Sequence, residues 1–66
     1  MDILVNGQRK SVPDTTTIFS LLEQFHLQDE LIAVEHNGEI IAREAYATRR
    51  LTEKDVIEIV RFVGGG

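Results

Sequence analysis

Val56-Ile-Glu-Ile-Val-Arg-Phe-Val63, followed at once by Gly64-Gly65-Gly66, is the stretch that decides how this chain is read. Val56 to Phe62 is the longest and most apolar extended run in the sequence, which predicts a strand at the centre of a sheet. Three glycines then follow without a Cβ among them. They cannot pack a core, and ordering them costs conformational entropy. The expected division is therefore a folded domain over 1–63 and a slim C-terminal tail over 64–66. Fully extended, such a tail reaches roughly 10 Å beyond the domain, through a channel too narrow for any side chain. A frayed terminus or an expression scar would look the same, so the tail alone leaves its use open.

At the N-terminal end, Met1, Ile3 and Val5 alternate with Asp2, Leu4 and Asn6, the period-2 pattern of a half-buried strand. Asn6-Gly7 is a hairpin-turn signal, because a type I′ turn needs positive φ at both central positions. A second strand is expected over about Gln8 to Val12, its polar content marking an edge, with Pro13 ending it. Thr17 is the expected N-cap of a helix in which Ile18, Leu21, Leu22 and Phe25 form one apolar stripe facing a sheet. Ser20, Glu23 and Gln24 are expected to face water. Leu31 to His36 reads as a third strand closed by the Asn37-Gly38 turn, with a short extended piece at Ile40-Ile41. Arg43 to Arg50 is polar and irregular around Tyr46, and Leu51 returns to the core. The expected fold class is α+β: a mixed sheet of four to five strands with one main helix on one face. First and last strands placed as central neighbours would run parallel.

Sixty-six residues make one domain near the lower size limit for independent folding. Such a domain buries only about 60% of its unfolded surface, which argues against a deep enzyme cleft. The absence of cysteine excludes disulfides, thiolate metal sites and a thiol nucleophile within the chain, and fits a reducing cytoplasm. The longest apolar run near the start is Ile3-Leu4-Val5, so no signal peptide or membrane span is expected. Eleven acids against seven bases give a net charge of −4. That balance opposes nucleic-acid binding, which depends on neutralising phosphates, and favours a protein partner with a basic surface.

Little in the sequence suggests catalysis. His26 and His36 have no carboxylate or second histidine at metal-ligand spacing, so no metal site is expected. His26 is placed to interact with a helix C-terminus. Glu44 and Glu53 are isolated acids in polar segments, and Ser11 and Ser20 lack a neighbouring base. The strand faces say more. Ile3, Val5, Ile57 and Ile59 are expected to point at the helix, leaving Leu4, Val60 and Phe62 on the opposite face. Beside a glycine tail, that apolar cluster reads as a docking patch, unless Arg61 and the loop around Tyr46 fold over it.

These residues together resemble the ThiS-type sulfur carriers of thiamine biosynthesis, a ubiquitin-like β-grasp family. The resemblance rests on Ile3-Leu-Val-Asn-Gly7, Thr17-Ile-Phe-Ser-Leu-Leu22, Ile32-Ala-Val-Glu-His-Asn37, Ile40-Ile41 with Arg43, Leu51 to Asp55, Val56 to Val60, and the terminal glycines. It runs end to end. What it implies is chemistry at Gly66: adenylation by an E1-like adenylating enzyme, attack by a sulfur from a persulfide donor, and a thiocarboxylate delivered to thiazole synthase. Gly64 and Gly65 would provide clearance in the partner's channel. ATP and magnesium would belong to the activating enzyme, leaving this chain without a cofactor of its own and acting as a carrier, not an enzyme.

Three departures from the family pattern stand out. Lys54 occupies a position often held by glycine, Ala42 one often held by proline, and three terminal glycines replace the usual two. A non-glycine residue held at positive φ costs about 1–2 kcal/mol, so Lys54 is expected to strain its turn if the turn keeps that geometry. A small subunit of molybdopterin synthase, a ubiquitin-like protein modifier and a β-grasp interaction module with an inert tail are the alternatives. Compactness and the segments at 3–7 and 32–37 favour the thiamine carrier.

Overall fold

The computed structural model describes residues 1–62. The expected boundary after residue 63 and the assigned glycines Gly64, Gly65 and Gly66 lie outside the described residues. Strands β1 (Asp2–Val5) and β2 (Gln8–Ser11) precede helix α1 (Ile18–Gln24). Strands β3 (Ile32–His36) and β4 (Glu39–Ile40), a 3₁₀ turn at Arg43–Ala45 and strand β5 (Val56–Arg61) complete the order.

The strands form one mixed sheet in the order β2-β1-β5-β3-β4. β5 is central, parallel to β1 and antiparallel to β3. β2 and β4 are the edges, as the polar sequence of β2 anticipates. Both Asn-Gly dipeptides turn as the hairpin chemistry demands, with φ of 50° and 81° at Asn6 and Gly7 and 52° and 87° at Asn37 and Gly38. These two-residue turns fix the register, pairing Val5 with Gln8 and His36 with Glu39.

The helix starts in a reciprocal capping box. The Ser20 N–H donates to the Thr17 hydroxyl oxygen at 3.1 Å, and the Thr17 N–H donates to the Ser20 hydroxyl oxygen at 2.8 Å. Ser20 is therefore half-buried at the cap instead of facing water. Ile18, Leu21 and Leu22 are buried, but the expected fourth member of the stripe, Phe25, is only half-buried. The helix stops one residue before it. The His26 N–H donates to the Glu23 carbonyl and the Leu27 N–H to the Leu22 carbonyl, while His26 takes φ 58°. This is a Schellman stop with histidine where glycine is usual, and it swings Phe25 to the rim of the core.

The helix stripe packs on Ile3, Val5, Val34 and Ile57, with Val12, Ile41, Tyr46 and Leu51 closing the sides. Ile59 is half-buried at the margin of the same face. The return segment clasps the helix N-terminus, because the Ile18 N–H donates to the Arg49 carbonyl and the Phe19 N–H to the Tyr46 carbonyl. Ile3, Ile18, Leu21, Leu22, Ile57 and Val34 are fully buried, and truncating one of the larger ones to Ala costs about 2–5 kcal/mol. All of this core lies on one side of the sheet. Among the described residues, no helix or loop covers the other side.

Candidate functional site: the open sheet face

Strand alternation settles which side chains occupy the side away from the helix. Leu4 of β1 pairs with Val56 of β5 and with Arg9 of β2. Further along β5, Glu58 pairs with Glu35 and Val60 with Ala33. Glu35 in turn pairs with Ile40 at the β4 edge, and the Phe62 N–H donates to the Leu31 carbonyl just past the strand end. Leu4, Val60 and Phe62, the expected docking residues, thus share one face and are 40%, 50% and 53% exposed. Val56, Ile40 and Leu31 extend the patch and are exposed too.

Neither segment that could have covered the patch does so. Arg61 lies on the helix side, where it forms an ion pair with Glu30. Tyr46 is buried in the core beneath the helix. A run of exposed aliphatic and aromatic side chains on one sheet face is disfavoured in water, so its retention points to association. At its β1 end the face leads into a shallow hollow of about 380 Å³ lined by Asp2, Ile3, Leu4, Arg9, Glu53 and Lys54.

Phe62 is the last described residue of the patch, four positions before Gly66 in the sequence. Two polar anchors hold β5 on this course. Asn6 bonds both backbone groups of Ile59 on the β1 side. On the β3 side, the Asn37 Oδ1 accepts the Val56 N–H at 2.7 Å.

Asp55, immediately before β5, is buried and fully engaged. Its carboxylate accepts from the His36 Nε2 at 2.6 Å, the Asn37 Nδ2 at 3.1 Å, and the Thr52 N–H and hydroxyl at 2.8 and 2.9 Å. Burial pushes this carboxyl up, but the hydrogen bonds from His36, Asn37 and Thr52 outweigh it and hold the pKa at about 2. His36 is thus a structural partner of Asp55. His26 is a helix-stop residue, and Glu53 accepts the Asp2 N–H at 2.9 Å. Among the described residues, no three metal-ligating side chains gather in one place.

The sequence reading missed Val56, Ile40, Glu35 and Glu58 on this face. Parity along the quoted run contains Val56 and Glu58, and the register of a two-residue Asn37-Gly38 turn contains Ile40 and Glu35.

Comparison with known proteins fits this geometry. The ThiS family model matches residues 3–66. The chain belongs to the ThiS family. It is 51% identical over 53 residues to the sulfur carrier protein ThiS of Bacillus subtilis, covering 80% of each chain. The crystal structure of the thiamine biosynthesis protein ThiS from Geobacter metallireducens superposes with a TM-score of 0.84 at 33% identity, covering 100% of both chains. The fold is accordingly the ubiquitin-like β-grasp, and the chain is a sulfur carrier of the ThiS type for thiamine biosynthesis. All 66 residues also align, at 33% identity, with a thiazole synthase of Paramagnetospirillum magneticum, of which they span only 20%. Among the described residues, no helix of this ThiS protein is long and apolar enough to cross a membrane.

Proposed function

We propose that this ThiS chain carries sulfur as a thiocarboxylate on Gly66, in the reducing cytoplasm that its cysteine-free composition fits. A carboxylate is a poor electrophile at neutral pH because its charge is delocalised. An E1-like adenylating enzyme, using its own ATP and magnesium, joins the Gly66 carboxylate to AMP and releases pyrophosphate. A persulfide sulfur then attacks the acyl carbon and expels AMP. A dithiol reductant then cleaves the S–S bond of the resulting acyl disulfide: the reductant is oxidised to its own disulfide, the donor thiol is freed and the C-terminal thiocarboxylate remains. Thiazole synthase receives that sulfur, and Gly64 and Gly65 let the tail enter both active sites. Leu4, Val60 and Phe62 dock the activating enzyme.

The observation that carries this reading is the uncovered apolar face on the strand that leads into the glycines. The alignment of the whole chain with a fifth of a thiazole synthase supports that partner, since fusion keeps a carrier segment and its acceptor together. The test is intact-protein mass after incubation with the cognate adenylating enzyme, ATP, magnesium, a persulfide donor and a dithiol reductant. One oxygen should exchange for sulfur, and alkylation should place that sulfur on Gly66. Native protein found only as lysine-linked adducts, never with a terminal sulfur, would replace the carrier with a modifier.

A further inference from the structure

Glu35 and Glu58 sit directly opposite one another on β3 and β5, in the middle of the open face. Cross-strand partners place their Cβ atoms about 4.5–5.5 Å apart, and like charges in that relation destabilise a sheet. No ion pair among the described residues relieves them. The basic strand residue on this face, Arg9, is across from Leu4 at the β2 edge and pairs with neither. Around the two acids the face is apolar: Val56 and Val60 flank Glu58 along β5, Ala33 lies beside Val60, and Ile40 is across from Glu35.

Two adjacent, unneutralised carboxylates ringed by exposed apolar side chains make a socket of definite chemistry. An apolar partner alone would bury both charges without a counter-ion, which is costly. A partner with one projecting cation turns that cost into attraction. Guanidinium suits the spacing better than ammonium, because its planar fork of five N–H donors can reach both carboxylates at once, while its stem covers aliphatic neighbours.

We infer that the E1-like adenylating enzyme inserts a basic side chain, an arginine by its shape, between Glu35 and Glu58, inside an apolar ring that includes Val56, Val60 and Ile40. The inference rests on the carrier function proposed above. It makes the docking specific: the net charge of −4 is spread over the whole surface, whereas this pair fixes one point of register on one face.

The test is binding of the cognate adenylating enzyme, without ATP, to the wild-type chain and to the double variant Glu35→Gln, Glu58→Gln. Glu23→Gln on the exposed helix surface serves as a charge control. The double variant should keep or raise its melting temperature, because a like-charge pair is gone. Its Kd should nevertheless rise about tenfold or more, mainly through faster dissociation, as when a buried interfacial charge pair is broken. Glu23→Gln should stay within about twofold of wild type, as expected of an exposed charge outside the interface. A double variant that binds within about twofold of wild type, or that loses no more than Glu23→Gln, overturns the inference while leaving the carrier function standing. A wild-type chain that neither binds the enzyme nor gains sulfur defeats both.

Discussion

The side chain of Asn6 stands in for a missing strand against Ile59. Its Oδ1 accepts the Ile59 N–H at 2.7 Å, and its Nδ2 donates to the Ile59 carbonyl at 3.2 Å. β1 pairs with β5 only through Leu4 and Val5 before the chain turns at Asn6-Gly7, so the next backbone groups of β5 need a partner on that side. An amide supplies an acceptor and a donor in the spacing of a peptide group. Asparagine also tolerates the φ of 50° that the turn requires.

Asn6→Ala should therefore lose twice, in hydrogen bonding and in backbone strain, by about 2 kcal/mol in all. Asn6→Gly relieves the strain and should lose less. Urea denaturation at constant m-value separates the two variants. Asn6→Ala within about 0.5 kcal/mol of wild type would mean that water replaces the amide without loss.

Lys54 has φ 69°, so the turn takes a left-handed geometry that glycine would hold without strain. Its N–H donates to the Asp2 carbonyl at 2.7 Å, a bond that glycine would retain. Relief of the left-handed strain gains about 1–2 kcal/mol, while the greater freedom of unfolded glycine takes back about 0.5–1. Lys54→Gly should thus stabilise the domain by about 0.5–1 kcal/mol, visible as a rise of a few degrees in melting temperature. His26→Gly, at φ 58° in the helix stop, should act in the same direction. A fall in melting temperature for both variants would show that side-chain contacts outweigh backbone strain at these positions.

The Asp55 cluster makes stability depend on acid. Its folded pKa of about 2 lies below the ordinary value of 3.8, so the folded state prefers the ionised form. The associated stabilisation is fully present above pH 3.8 and is lost as pH falls toward 2. Its size is about 2 kcal/mol, at about 1.4 kcal/mol per pH unit. Asp55→Asn should be less stable at neutral pH and should lack this slope. Denaturation midpoints measured across that acid window check it, and an identical slope in the variant would assign the acid dependence to other carboxylates.

Element order was legible because period-2 runs, one 3.6-residue stripe and two Asn-Gly dipeptides are local signals whose physics does not depend on the rest of the fold. The left-handed turn at Lys54 is suggested only by the resemblance of its neighbours to a family pattern in which glycine is expected there. What stayed hidden depends on separation along the chain. Asn6 and Ile59 are 53 residues apart, and His36 and Asp55 are 19 apart. No local pattern announces such polar contacts. Phe25 was misplaced for a subtler reason: hydrophobic spacing continues through it, but the left-handed residue that ends the helix is a histidine, which carries no stop signal of its own. On the open face, strand parity identified Leu4, Val60 and Phe62. Finding Glu35 opposite Glu58 required the register between β3 and β5, which long-range pairing alone fixes.

In the docking proposed above, Phe62 should separate binding from folding. It is 53% exposed on the face away from the helix, so Phe62→Asp should leave the melting temperature nearly unchanged. At an interface the same carboxylate would be buried without a partner in an apolar patch, so binding to the adenylating enzyme and formation of the acyl-adenylate should collapse. Pyrophosphate release measured with the cognate enzyme reports this directly. Unchanged kinetics would remove Phe62 from the docking surface.

If Gly66 carries the sulfur as proposed, its position sets the reach of the carrier. Its removal still leaves a glycine carboxylate, because Gly65 becomes the last residue, so the chemical nature of the end is preserved. The acyl carbon, however, is withdrawn by roughly 3.3–3.6 Å relative to the docked domain. A misplacement of about 1 Å can cost a hundredfold in rate when reacting groups must be held in line. Deletion of Gly66 should therefore abolish adenylation while stability and binding of the folded domain stay as in wild type. Adding one alanine after Gly66 should have the same effect for the complementary reason, since it places a methyl group and the wrong carbon at the reacting position. Calorimetric binding together with pyrophosphate release distinguishes loss of reach from loss of docking. If either altered tail is adenylated at the wild-type rate, the partner's channel does not measure length, and the acyl carbon is positioned by contacts to the tail and not by its distance from the docked sheet.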